Sequence, residues 1–151
     1  MDVANGLLLA CGGFLLAVLW MDLIFDTQAR GQLTEPALVS IAGYYRRATT
    51  TSRPMSRLIA VVMVILLVTL VFRAVVGHGP VWLEGASAVL AVVPIGLALV
   101  RTVRNAVRLG ARADGPEVEA KLARSVLRDH AVCFACMAAF VALRLVGTAL
   151  A

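Results

Sequence analysis

The sequence predicts an all-α polytopic membrane protein: four transmembrane helices in an antiparallel bundle, with helices 3 and 4 extended into the cytoplasm. Three observations predict it. Four apolar runs, at about residues 7–25, 58–76, 82–100 and 131–150, reach the roughly 17–25 residues that a helix needs to cross a bilayer. None alternates apolar and polar residues with period two, as a membrane β-barrel strand would. The composition is 61% hydrophobic and only 15% charged, against about 25% charged for a soluble domain. At 151 residues there is room for one domain, residues 1–151.

The first run holds LLLACGGFLLAVLWMDLIFDT. It is not expected to be a cleaved signal, because the residues before it carry Asp2 and no Lys or Arg, where a signal peptide has a basic start. Gly6, Ala10, Gly13 and Ala17 recur at spacings of three and four, which lets helices approach closely in lipid. Such contacts predict a homo-oligomer or a protein partner. Cys11 is expected to pack as a small apolar residue, and Trp20 to anchor in lipid or wall a polar pocket.

The connection over residues 28–56 is long for a four-helix bundle. Thr34, Glu35 and Pro36 form a helix start, and Leu38, Ile41, Ala42 and Tyr45 follow at helical spacing. This predicts a short interfacial helix at about residues 36–47, with Tyr44 and Tyr45 among headgroups and Arg46 and Arg47 on phosphates. The hydroxyl-rich breaker after it ends in Ser52, a cap for the second span. In that span Arg73 either snorkels to the headgroups, the favoured reading, or pairs with Glu84. His78 reads as a solvated turn residue.

Pro94 kinks the third helix, which membrane helices tolerate. At its exit Arg101, Arg104, Asn105, Arg108 and Arg112 step by three and four and form a basic stripe. Asp114, Gly115 and Pro116 stop it. From Pro116 a helical pattern runs without a breaker into the fourth span, so residues 101–130 form a cytoplasmic hairpin rising about 15–20 Å at 1.5 Å per residue. Arg144 lies near the far end of the fourth span and is expected to snorkel.

Twelve of the fourteen Lys and Arg residues fall in the connections after the first and third spans. The positive-inside rule places both connections in the cytoplasm and both termini outside, in a bacterial inner or plasma membrane. The net charge of +5 sits beside apolar runs, so the expected partners are the bilayer and its anionic headgroups, met by Arg46, Arg47, Arg108 and Arg112, rather than nucleic acid.

The residues that point to chemistry converge near the cytoplasmic surface. Asp22 and Asp26, four apart, share one helix face, and carboxylates at that depth face a bundle interior or a wet cavity. Folding the hairpin about Gly115 brings His130 level with Arg101. The expected site is Asp22, Asp26, Arg101, Arg104, Asn105 and His130, with Asp22 weighing more than Asp26, which lies nearer water. A structural ion-pair network is an equal reading of the same residues. Three functions follow: ion or small-solute transport, an enzyme acting on a lipid-like substrate, or a non-catalytic subunit docking a partner through the hairpin. Transport leads, because intramembrane carboxylates beside a histidine suit a proton or cation. Asp22, Asp26, His130 and Cys133 mix hard and soft donors and form no zinc pattern, so neither a metal nor a cofactor is assigned. Cys133 and Cys136 are spaced Cys-x-x-Cys but face inward, which disfavours thiol redox chemistry.

Overall fold

The computed structural model describes residues 2–51, 53–77 and 79–149. Ser52 and His78, expected as a helix cap and a turn residue, lie outside the described residues. The chain is 91% helical, and no strand occurs among the described residues. Four helical stretches are long and apolar enough to cross a membrane: Val3–Ala29, Pro54–Val76, Val81–Ala111 and Pro116–Gly147. The all-α polytopic class predicted from the sequence is what the structure has.

Helix α1 (Val3–Asp26) begins at Asp2, whose Oδ1 accepts the Asn5 N–H at 2.6 Å. A single 3-10 turn, Thr27–Ala29, ends it. Helix α2 (Glu35–Tyr45) starts after Thr34, whose hydroxyl makes no capping bond; the fixed φ of Pro36 and the first-turn Glu35 suit the helix start instead. A wide π-helical turn, Arg46–Thr51, leads to α3 (Arg53–Val76). Helix α4 (Val81–Leu97) contains Pro94 and runs through a second π turn, Ala98–Thr102, into α5 (Val103–Ala111). Arg112, at φ 51°, takes the left-handed conformation that closes α5, and α6 (Pro116–Ala149) returns through the full height of the molecule.

In the bundle α6 packs against α1 and α4, and α3 packs against the same two helices, so α1 and α4 lie on one diagonal and α3 and α6 on the other. Leu8, Cys11, Leu15, Leu66, Leu70, Ala91, Ile95, Met137 and Phe140 form its core. Gly12 lets α6 come close, since a Cβ there would meet the Phe140 ring at 3.0 Å. Most of each span's surface is exposed apolar side chain, Val64, Val68, Phe72, Val93 and Val100 among them, as a lipid-facing surface requires.

A second core lies beyond the membrane runs. Leu38, Ile41 and Tyr45 of α2 meet Ala106 and Leu109 of α5 and Leu122, Ala123 and Val126 of α6. Helix α2 therefore has its apolar face against protein, and Tyr44 and Tyr45 point inward. This differs from the headgroup-lying helix expected from the sequence, because the extended α5–α6 hairpin offers a drier surface than the headgroup layer does. We call this unit the head.

The head is closed by one backbone crossing. A Cβ on Gly110 would lie 2.8 Å from the Arg46 backbone nitrogen and 3.2 Å from the Tyr45 carbonyl carbon. Backbone cannot yield as a flexible side chain can. Gly110→Ala is therefore expected to lower stability by about 1–3 kcal/mol, read as the thermal midpoint in detergent; an unchanged midpoint would show that the crossing is loose.

At the opposite end of the bundle, Glu84 of α4 binds two arginines. Arg144 donates from Nη1 to Oε1 at 2.9 Å and from Nη2 to Oε2 at 2.5 Å, and Arg73 donates from Nε to Oε1 at 3.0 Å. Arg73 Nη1 reaches Asp2 at 2.7 Å. Snorkelling, expected for Arg144 and favoured for Arg73, is thus replaced by burial, and Arg73 makes the pair with Glu84 that was its second reading; Arg144 is 1% exposed. An acid on the facing helix offers a stronger partner inside the bundle than a stretch to the headgroups would.

Candidate polar site

Between the two cores lies a polar layer, built where α1, α2, α4 and α6 converge. Helix α1 brings Asp22 and Asp26 to one face, one turn apart. Tyr44 and Tyr45, consecutive at the end of α2, reach both. The Tyr44 hydroxyl donates to Asp22 Oδ1 at 2.6 Å, and the Tyr45 hydroxyl donates to Asp26 Oδ1 at 2.5 Å. His130 of α6 stands between the carboxylates. Its Nδ1–H donates to Asp26 Oδ2 at 2.7 Å, and its Nε2 lies 3.9 Å from Asp22 Oδ2. The Tyr45 oxygen is 3.2 Å from Nδ1, inside the same triangle. Phe25 stacks on Tyr44 with ring centroids 4.1 Å apart and covers the cluster.

A second group adjoins this one. Arg101 forms a two-pronged salt bridge with Asp129, and the Thr102 hydroxyl donates to the same carboxylate at 3.3 Å. The π turn makes this possible. The wide turn, which follows the Pro94-containing end of α4, directs the consecutive residues Arg101 and Thr102 to one acid. The single Thr102 hydroxyl proton is shared between that carboxylate and the Leu97 carbonyl, five residues back, at 3.2 Å, and the Cys133 thiol lies 3.7 Å from the Pro94 carbonyl.

The structure thus brings Asp22, Asp26 and His130 together and sends the other expected residues elsewhere. Arg101 serves Asp129. Arg104 is exposed and Asn105 donates to Ser125 at 3.3 Å. Asp26 is 1% exposed, whereas Asp22 is partly open. Asp26 was expected nearer water; the head folds over it instead. Of the arginines expected on lipid, Arg46 and Arg47 are exposed, Arg108 grips Asp114 at 2.6 and 2.7 Å, and Arg112 binds Glu35 and Glu119 at 2.7 and 3.2 Å. The Arg108 guanidinium holds the Asp114 carboxyl below the ordinary carboxylate range. Tyr44, Tyr45, Thr102 and Asp129 were not singled out from the sequence as site residues. The signal available for Asp129 was its place beside His130; for the tyrosines it was their adjacency at a helix end whose other apolar residues share one face.

Chemically the layer is a set of carboxylates already supplied with donors. Asp26 receives a phenol and an imidazole, Asp22 a phenol, and Asp129 a guanidinium and a hydroxyl. Among the described residues no group of three or more His, Cys, Asp or Glu is arranged to hold a metal ion. Burial first, and then the Asp22 and Asp26 carboxylates, push both tyrosine hydroxyls well above their ordinary pKa. They are neutral donors over the whole neutral range.

This gives a site-specific readout, because Tyr44 and Tyr45 are the chain's two tyrosines. Folding raises their pKa, so their contribution to stability is complete below the unfolded value of about 10 and is lost as pH rises above it towards the folded value. The folded protein is expected to show no tyrosinate absorbance at about pH 10, where the denatured chain is half ionised. Half-ionised tyrosine in the folded protein at that pH would contradict the hydrogen bonds described.

Residues 1–148 match the model of the SHR3 chaperone family, described as ER membrane protein SH3. No curated protein matches the chain, and no solved structure does. The family description overturns the bacterial inner or plasma membrane expected from the sequence, since it is of a protein of the ER membrane. It also names a chaperone, which does not support transport as the leading reading.

Proposed function

The chain belongs to the SHR3 chaperone family of ER membrane proteins, and on that premise we propose that it is a non-catalytic membrane chaperone that docks a membrane-protein partner through its head. The observation that carries this reading is the bonding of the polar layer. A transport path or an active site needs groups free to take a proton, an ion or a substrate. Here the buried carboxylate of Asp26 is occupied on both oxygens by Tyr45 and His130. The layer acts as a latch: two tyrosines of α2 fasten to two aspartates of α1, and His130 of α6 locks the join. It holds the head at a fixed angle on the bundle, as a docking platform requires.

The head faces the cytoplasm in this reading, because the basic residues concentrate there. Arg46 and Arg47, exposed and with no ion pair among the described residues, face outward to meet anionic headgroups; Arg108 and Arg112 are engaged within the head.

The test is to synthesise an aggregation-prone polytopic membrane protein into ER-derived membranes with and without this chain. The aggregated fraction is expected to fall when the chain is present. Proteoliposomes holding the chain alone are expected to show no proton or cation flux. An unchanged aggregated fraction, or flux abolished by Asp22→Asn, would overturn the proposal.

A further inference from the structure

Helix α6 presents one continuous outward face from the head to the far end of the bundle. In the head it carries Lys121, Arg124 and Arg128, all exposed. The same face continues through the membrane run as Ala131, Ala135, Ala139 and Ala142, also exposed. The steps are three and four throughout, so the residues form a single stripe along the helix.

Among the described residues the charges on this stripe make no ion pair; one acid, the exposed Glu117, stands on the same face a turn before Lys121, and none accompanies Arg124 or Arg128. The head contains five acids, Glu35, Asp114, Glu117, Glu119 and Asp129. Four of them are engaged by Arg101, Arg108 and Arg112. No carboxylate lies within ion-pair distance of Lys121, Arg124 or Arg128 among the described residues; Arg124 donates to the Gly31 carbonyl at 3.3 Å.

Resting on the chaperone reading above, we infer that this face of α6 receives a transmembrane helix of another protein whose cytoplasmic flank is acidic. The alanines leave the α6 backbone open to close approach by a helix in lipid, where small residues at the contact favour association. The basic residues continue the contact above the membrane. Lipid headgroups fit the stripe poorly. It runs along the helix axis, and Lys121 lies ten residues above Ala131, about 15 Å by helical rise, whereas a headgroup layer is roughly 5–7 Å deep. A second copy fits it poorly as well, because pairing the face with itself sets Lys121, Arg124 and Arg128 against the same cations. An acidic flank on the incoming helix answers both the charge and the direction of the stripe.

The full-length protein is placed in neutral phosphatidylcholine nanodiscs. Two fluorescent synthetic helices with the same leucine–alanine span are offered to it, one with an aspartate-rich flank and one with a lysine-rich flank. The acidic-flanked helix is expected to bind about tenfold more tightly at low salt, the sum of three exposed ion pairs, and to lose the advantage at high salt. Lys121→Glu with Arg128→Glu, at exposed positions with no ion pair among the described residues, is expected to reverse the preference. Ala135→Trp is expected to abolish binding of both helices while the thermal midpoint stays unchanged. Equal binding of the two flanks, an unaltered preference in the charge-reversed variant, binding that requires added phosphatidylserine, or self-association of labelled chains blocked by Ala135→Trp would each overturn the inference. Suppression of aggregation that persists in both variants would remove this surface and leave the chaperone reading standing. Wild-type protein that suppresses no aggregation would remove the chaperone reading, whatever the helices do.

Discussion

Glu84→Ala is expected to lower the stability of the bundle by about 3–5 kcal/mol, the usual result of removing one member of a buried ion pair. Glu84 accepts three hydrogen bonds from Arg73 and Arg144. Without it, Arg144 is left buried and has lost both carboxylate contacts described here, while Arg73 keeps its bond to Asp2. The loss should be read as the unfolding free energy in mild detergent, with helicity followed by circular dichroism. Combining Glu84→Ala with Arg144→Met should recover much of it, because a buried pair replaced on both sides by apolar groups is often neutral or better. A single-variant loss below about 1 kcal/mol would mean that water reaches the site and the network behaves as a surface pair.

Asp26→Ala is expected to cost about 3 kcal/mol, and Asp22→Ala about 1 kcal/mol, in the range of charge-assisted and partly exposed hydrogen bonds respectively. Asp26 is fully enclosed and holds both Tyr45 and His130, so its loss leaves a buried hydroxyl and an imidazole without their acceptor. Asp22 is partly open and holds Tyr44 alone at hydrogen-bond distance, with His130 Nε2 farther off at 3.9 Å. This order reverses the one expected from the sequence. Parallel unfolding curves decide it, and the alkaline titration adds a local check: Asp26→Ala should bring the tyrosinate transition of Tyr45 down, since burial and the Asp22 carboxylate would still hold it up but its own carboxylate partner would be gone. An Asp22 variant less stable than the Asp26 variant would show that the latch closes chiefly through Tyr44.

The two predictions bear on opposite ends of one molecule, and the sequence treated those ends unequally. At the head end, the spacing of Asp22 and Asp26 and the hairpin fold about Gly115 were enough to place His130 at the aspartates' depth. At the far end, Arg73, Glu84 and Arg144 belong to three different helices, and helical spacing carries no information about which helices are neighbours. Arg144 therefore looked like a snorkelling residue, and for Arg73 the pair with Glu84, which the short turn between the two helices suggests, stood second to snorkelling. The location was misjudged for a related reason: charge bias across a bilayer orients a chain in any membrane and does not say which membrane it is.

What the sequence by itself determined is whatever depends on one helix at a time. Apolar run length sets four spans, Pro116 and the unbroken pattern after it set the long α6, and the step of three and four sets which residues share a face. These follow from the 1.5 Å rise and 3.6-residue turn of a single helix and need no neighbour. The tertiary structure alone decided which carboxylate meets which cation. Arg101 could turn to Asp22 or to Asp129, and it meets Asp129 beside Thr102, which the π turn after Pro94 brings to the same acid. Tyr44 and Tyr45 could lie among headgroups or turn inward, and they turn inward because α2 finds an apolar surface on α5 and α6 at the Gly110 crossing. Ion pairs and hydrogen bonds act only at contact distance, and contact between helices is fixed by packing, which no single helix encodes.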